Sequence, residues 1–247
     1  MSEAIALAAA ALRNAKFAVA VTGAGVSAES GIPTFRGEGG IWERYPPDEY
    51  ASIAAYRRDP NKVWRFWREL ADLVKGCAPN AGHNALAELE RMGLLRAVIT
   101  QNVDNLHQAA GNTRVIEFHG NARRLVCLEC RKRMGIDVNN LGDLAPHCPI
   151  CTGLMKPDVV MFGEDIPRHA MFEAHALSEK CDAMLVVGTS AQVYPAAQLP
   201  FTAKSNGAFI IECNTERTDF TDEITDAFVE GLSGETLPAL VRAMAQG

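Results

Sequence analysis

The 247-residue sequence predicts an α/β protein: a Rossmann-like parallel sheet with helices on both faces, carrying a smaller composite domain. Three observations predict it. Short apolar, β-branched runs alternate with helix-period segments over most of the chain. The first run, Phe17-Ala18-Val19-Ala20-Val21, feeds straight into a glycine turn, Gly23-Ala24-Gly25. Two Cys-x-x-Cys pairs lie in a stretch poor in apolar residues, outside the alternation.

Buried strands are expected at 17–22, 95–100, 114–118, 183–188, 208–212 and 226–229. Helices are expected at 3–14, 61–75, 82–92, 168–179, 195–205 and 234–245, with Pro195 suited to a first-turn position. Residues 38–80 interrupt the pattern with a helical, aromatic-rich module, and 121–156 interrupt it again with the cysteines. The large domain is therefore assigned to 1–37, 81–120 and 157–247, and the small one to 38–80 and 121–156. A segment as apolar-poor as 121–156 is expected to need a metal to hold it together.

A net charge of −6 gives no general attraction to nucleic acid or to anionic membrane. No run approaches the roughly 20 apolar residues of a membrane span. The early acid Glu3 and the lack of a basic n-region predict a first helix and a cytoplasmic protein. The sequence leaves the oligomeric state open, and a monomer is favoured. Without an export signal, paired cysteines point to metal before disulfides.

The spacing Gly23-x-Gly25-x-x-Ala28 fits the dinucleotide fingerprint, with backbone N–H groups placed for a pyrophosphate. Gly31-Ile32-Pro33 then breaks the helix almost where it starts. A hydride-transferring dehydrogenase would continue into a second strand with an acid roughly 20 residues on. Here a loop carrying Phe35 and Arg36 and ending at Gly37 follows, built to cover something.

Cys127, Cys130, Cys148 and Cys151 supply four thiolates with 17 residues between the pairs, which fits one closed, structural Zn²⁺ site. His147 is a substitute ligand or a solvent-facing neighbour. Cys77, Cys181 and Cys213 read as buried small apolar residues. Ligands of a doubly wound sheet bind beyond the strands' carboxyl ends, so the polar residues there are the ones to inspect. Gln101, Asn102 and Asp104 either hold ribose and carboxamide groups or form an Asx turn in which Asp104 caps a helix. His119 before Gly120 is a general base or a satisfied polar residue. Gly188-Thr189-Ser190 and Asn214 are nucleotide contacts or turn chemistry.

Together, Gly23–Gly37, Thr100-Gln101-Asn102-Val103-Asp104, Phe118-His119-Gly120, the four cysteines, Lys156–Glu164, Gly188-Thr189-Ser190 and Asn214 resemble the sirtuins, NAD-dependent protein lysine deacylases. The resemblance implies that Ala24, Gly25 and Ser27 line the pyrophosphate, and that Phe35 and Arg36 lie on a lid over NAD. It implies a nicotinamide pocket of Ile32, Asn102 and Asp104, with Gln101 on the ribose. Gly188, Ser190, Asn214 and Phe228 would hold the adenosine half. Gly23, Ala28, Trp42 and Thr189 complete the NAD set. Val160, Met161, Phe162 and Gly163 would bind the acyl-lysine peptide as an added strand, with Val193, Trp67 and Leu70 also on the substrate.

NAD would be a consumed co-substrate, its nicotinamide displaced by the acyl oxygen. Asn102 and His119 would carry the catalysis, His119 as the base that lets a ribose hydroxyl attack the acyl carbon, titrating near neutrality. The products would be nicotinamide, O-acyl-ADP-ribose and free lysine. Members that remove succinyl groups carry a Tyr-x-x-Arg pair where this chain has Trp67 and Leu70. Arg65 and Arg68 are expected to point from other helix faces. That implies acetyl or another uncharged acyl group, unless both residues simply pack in the small domain. A protein mono-ADP-ribosyltransferase on the same fold is the alternative, and the presence of His119 argues against it.

Overall fold

The computed structural model describes residues 2–36, 39–137 and 142–245, so Gly37 and part of the 121–156 stretch lie outside the described residues. The first half runs α1 (Glu3–Asn14), β1 (Ala18–Thr22), a 3-10 segment (Ala24–Ser30), α2 (Ile41–Arg44), α3 (Pro47–Tyr50), α4 (Ile53–Arg58), α5 (Pro60–Lys75), α6 (Ala81–Arg91), β2 (Leu95–Thr100), α7 (Leu106–Ala110) and β3 (Val115–Glu117). The second half runs β4 (Gly120–Cys127), β5 (Arg133–Gly135), β6 (Met155–Val159), α8 (Arg168–Lys180), β7 (Ala183–Val187), α9 (Gln198–Ser205), β8 (Phe209–Asn214), α10 (Asp219–Glu223), β9 (Ala227–Glu230) and α11 (Ser233–Ala245).

The six expected strands form one parallel sheet in the order β3-β2-β1-β7-β8-β9. β1 and β7 are buried along their whole length, which is why they read as unbroken apolar runs. Each face has its own core. Leu12, Leu86, Leu185, Ile211 and Leu237 gather on one side, and Val19, Ile99, Met184, Leu199 and Phe220 on the other. Burying each such side chain contributes about 1.5–3 kcal/mol before chain entropy is counted. The strand order reverses between β1 and β7, and there the crevice opens.

The small module is an antiparallel sheet, β5-β4-β6, under the helices of residues 41–75. It is not held by metal alone. Tyr56, Val63 and Trp64 from the helices pack on Leu125, Met155 and Val159 from the strands, and the Tyr56 hydroxyl donates to the Met155 carbonyl. β4 starts at Gly120, two residues after the large sheet's last contact residue Phe118, and β6 straddles residue 157. α9 starts at Gln198, so Pro195 lies in the turn before it, where Ala197 N–H donates to the Val193 carbonyl (2.9 Å). Cys181 and Cys213 are buried, whereas Cys77 is half-exposed. Among the described residues, no helix is long and apolar enough to cross a membrane.

Candidate active site

The glycine turn is fused to the neighbouring strand exit. Gly23 N–H donates to the Val187 carbonyl (3.0 Å) and Gly25 N–H to the Gly188 carbonyl (2.9 Å). A Cβ on Gly25 would lie 2.7 Å from the Gly188 Cα, and one on Gly188 would lie 2.5 Å from the Val26 nitrogen. Gly188 also has φ +57, so glycine is required there twice over. These bonds consume two of the N–H groups expected to face a phosphate, while Ala24 N–H has no partner among the described residues. The 3-10 segment ends at Gly31 (φ 86), whose N–H donates to the Ala28 carbonyl (3.0 Å). The chain then leaves through Ile32 and Pro33. Phe35 packs on Trp42 with ring centres 5.0 Å apart, and Trp42 lies 6.2 Å from Phe162, so this loop rests on the segment that follows β6.

A groove of about 990 Å³ runs between the two sheets. Gly23, Ala24, Gly25, Phe35, Arg36 and Trp42 line it, as do Gln101, Asn102 and His119. Gly188, Thr189, Ser190, Val193 and Asn214 line it at the β7–β8 end, and Val160, Met161, Phe162 and Gly163 line it after β6. An adjoining apolar cavity of about 70 Å³ takes Ser27, Ile32, Asp104 and Leu70, and Trp67 borders both spaces. Two expected contacts stay out of both. Ala28 points to solvent, and Phe228 sits beneath the Arg217 guanidinium, 5.7 Å from its ring centre. Arg68, expected on another face, lines the apolar cavity, but its guanidinium pairs with Asp143. Trp67 sits one turn before Ala71 on the same face, and its Nε1–H is buried without a partner in the described chain.

Behind the inner cavity lies a buried polar network. Asn102 Nδ2 donates to the Gly23 carbonyl (3.0 Å) and to Ser27 Oγ (3.1 Å), and Ser27 Oγ–H donates to Asp104 Oδ2 (2.8 Å). The other Asp104 oxygen accepts Leu106 N–H (2.8 Å), so the Asx turn and the pocket wall are one structure. His83 approaches Ser27 Oγ through Nε2 (3.4 Å), while its Nδ1 accepts Asn80 N–H (3.4 Å). Thr22 Oγ1–H donates to Thr100 Oγ1 (2.9 Å), and His107 Nε2 reaches Thr22 Oγ1 (2.9 Å). Burial holds His107 down to about 3, and it holds His83 low against the pull of Asp104 and Glu29, so both rings are neutral. Neither histidine stands out in the sequence. His83 is visible only as the partner of Asn80 in a capping box, and His107 only as the end of the polar run after β2.

His119 occupies the link between β3 and β4. Phe118 before it is fully buried, and its N–H pairs with the Thr100 carbonyl (2.9 Å), which fixes the backbone. The imidazole Nδ1–H donates to the Gln101 carbonyl (3.1 Å). A carbonyl can only accept, so Nδ1 carries the proton and Nε2 is the free base. Burial moves His119 below its ordinary range, and the Gln101 bond opposes this. The imidazole is therefore neutral at pH 7, titrating below the near-neutral range expected of it.

The four expected thiols meet. Cys127, Cys130, Cys148 and Cys151 place their Sγ atoms within 4.8 Å of one another, with 3.5 Å between Cys127 and Cys151 and 3.7 Å between Cys130 and Cys148. A tetrahedron of 2.3 Å Zn–S bonds has edges of about 3.8 Å, so the set fits one Zn²⁺ with no open position. His147 stays out of it, with Nδ1–H donating to the Thr152 carbonyl (2.8 Å).

The class that this fold and site define is that of enzymes holding a dinucleotide at a topological switch point and presenting a neutral imidazole to it. The Sir2 family model matches residues 23–195, and the chain belongs to the Sir2 family. It is 48% identical over 236 residues to an NAD-dependent protein deacylase of Thermococcus sibiricus, covering 93% of this chain and 92% of that one. Among solved structures, a Sir2 homologue in complex with 2′-O-acetyl ADP ribose superposes with a TM-score of 0.93 at 42% identity, over 100% of this chain and 97% of the other. Sir2Af2 bound to a myristoylated histone peptide superposes with a TM-score of 0.82 at 41% identity, over 100% and 98%.

Proposed function

We infer that this chain removes acyl groups from protein lysines with consumption of NAD, releasing nicotinamide, O-acyl-ADP-ribose and the free lysine. The observation that carries this reading is His119. Its tautomer is set by the Gln101 carbonyl, and it lines the same groove as the glycine turn and the segment Val160–Gly163 that follows β6. NAD bound in that groove supplies the ribosyl carbon to which the acyl oxygen transfers. The residues of the chain do the rest. Asn102, braced by Gly23 and Ser27, walls the junction of groove and inner cavity. Phe35, stacked on Trp42, keeps water from a reactive centre. His119 Nε2 then accepts the proton of a ribose hydroxyl.

The substrate peptide pairs as an added strand with Val160–Gly163. In support, the Val160 carbonyl and the Gly163 N–H have no partner among the described residues. Neutral acyl groups are preferred, because the cavity beyond Trp67 and Leu70 is apolar and the Arg68 guanidinium is already paired with Asp143. Four thiols set for a metal suit a reducing compartment such as the cytoplasm.

The experiment is a panel of acetyl-, longer acyl- and succinyl-lysine peptides incubated with NAD and read by mass spectrometry. The expected result is O-acyl-ADP-ribose, with kcat/KM about tenfold or more higher for acetyl than for succinyl. ADP-ribose appearing on protein instead would replace the reading with a transferase. Equal or faster succinyl turnover would remove the acyl preference alone.

A further inference from the structure

A buried ion pair closes the ends of the peptide-side strand. Lys156 is 3% exposed, and its ammonium reaches Glu164 Oε2 (2.9 Å), the Val159 carbonyl (2.5 Å) and the Pro157 carbonyl (3.1 Å). Three donors meet three acceptors, so the ammonium is fully satisfied. The same Glu164 oxygen also accepts Met161 N–H (3.0 Å), and Glu164 N–H donates to the Met161 carbonyl (3.0 Å). Both polar backbone groups of Met161 are thus taken by one residue. Both groups of Phe162 are taken by the helical module, with its N–H donating to the Ala51 carbonyl (2.9 Å) and its carbonyl accepting Ile53 N–H (3.0 Å). Val160 N–H donates to the His119 carbonyl (2.8 Å). What remains for an incoming strand is the Val160 carbonyl and the groups of Gly163.

We propose that the Lys156–Glu164 pair is a positioning device that sets the register of the bound acyl peptide by occupying the N–H of Met161, whose carbonyl the Glu164 backbone already takes. The proposal rests on the reading that Val160–Gly163 receives the substrate strand. An edge that offered every N–H and carbonyl would accept a peptide in several registers, and a one-residue slip turns every side chain to the other face. With Met161 consumed, one pairing frame is left, and the acyl-lysine side chain meets the groove from a single position. Stability is a poor explanation for the pair, because well-packed apolar replacements of buried ion pairs are often neutral or stabilising. Lys156 lines neither cavity, while Glu164 borders the groove beside Gly163, next to the segment it would hold.

The test uses the full chain with its metal and an acyl peptide that the wild type deacylates. Failure of the wild type to deacylate any peptide would count against the functional reading, not against this proposal. Single N-methylation is walked along the peptide backbone. In the wild type, only the amides that face the Val160 and Gly163 carbonyls should raise KM, each by about tenfold, one hydrogen bond's worth, with the others near neutral. More than two equally sensitive positions, or none, would overturn the proposal without recourse to any variant. The double variant Lys156→Met/Glu164→Leu should raise peptide KM, keep kcat at saturation and ADP-ribose affinity, and lose the positional dependence. Lys156→Met/Glu164→Gln keeps an acceptor for Met161 N–H and should restore the wild-type pattern of sensitive positions. A wild-type profile in the Leu variant, or parallel losses of kcat, ADP-ribose affinity and thermal stability in both variants, would overturn it.

Discussion

The two sheets reach order by different means. The large sheet is self-sufficient: two apolar clusters, one on each face, bury strands such as β1 and β7 completely. The small sheet has a single cluster shared with the helices above it, one exposed strand (β5) and four thiols gathered at one end. A domain with little apolar area of its own needs another source of stability, and a structural metal is one. The difference teaches where each kind of substitution should be felt. The large sheet should respond to shape, and the small one to ligand chemistry.

The largest effect that sharpens this contrast is metal loss. Cys148→Ser, or a strong chelator, should release Zn²⁺ and take deacylation to background, while circular dichroism still shows the large sheet's secondary structure at 25 °C. A metal-free protein with normal peptide KM would break the comparison. Next comes His119→Ala, expected to lower kcat by about 10²–10⁴-fold and to leave ADP-ribose affinity within about twofold in calorimetry. Smaller is the contrast between glycines of the two sheets. Gly188→Ala should cost about 1–3 kcal/mol by denaturant unfolding and weaken ADP-ribose binding, because a side chain there meets backbone at positive φ. Gly135→Ala meets nothing and should stay within about 0.5 kcal/mol.

The smallest effects are in pH. His119 lies below its ordinary value of about 6.5, so the acid limb of deacylation kcat/KM should fall below pH 6.5. His107 is held at about 3 when folded, against about 6.5 unfolded. Between these values the unfolded chain binds the extra proton. Its contribution to stability is therefore full above pH 6.5 and is lost progressively as pH falls toward 3. A His107→Gln variant should show a shallower fall of Tm from pH 7 to pH 4 than the wild type. An equally steep fall would remove His107 as a cause.

The same contrast explains what was legible in the sequence. Buried parallel strands announce themselves, because every residue of Ala183–Val187 must be apolar, and the six strands emerged within one or two residues of their expected ends. Ligand spacing likewise announced the thiol site. Helices α2, α3, α4, α7 and α10 are too short to show a period, and β4 carries apolar residues only toward its C-terminal end. The small module's own core was invisible for that reason, since Tyr56 and Trp64 meet Met155 across long sequence distances. Within the site, residues touching the groove were readable from strand ends. His83 and His107 lie one layer back and have no motif beyond a helix cap. Ala28 was expected from the fingerprint's third position, which in an α-helix packs inward. In the tighter 3-10 segment it turns outward.

His119 lies immediately before β4, and β4 ends on Cys127. One eight-residue strand thus links His119 at one end to a thiol of the four-cysteine cluster about 25 Å away at the other. In the language of circuits the strand is the wire of an AND gate. Turnover is expected to need both inputs, a filled thiolate site and a bound dinucleotide, and a cell short of either one should find the same output switched off.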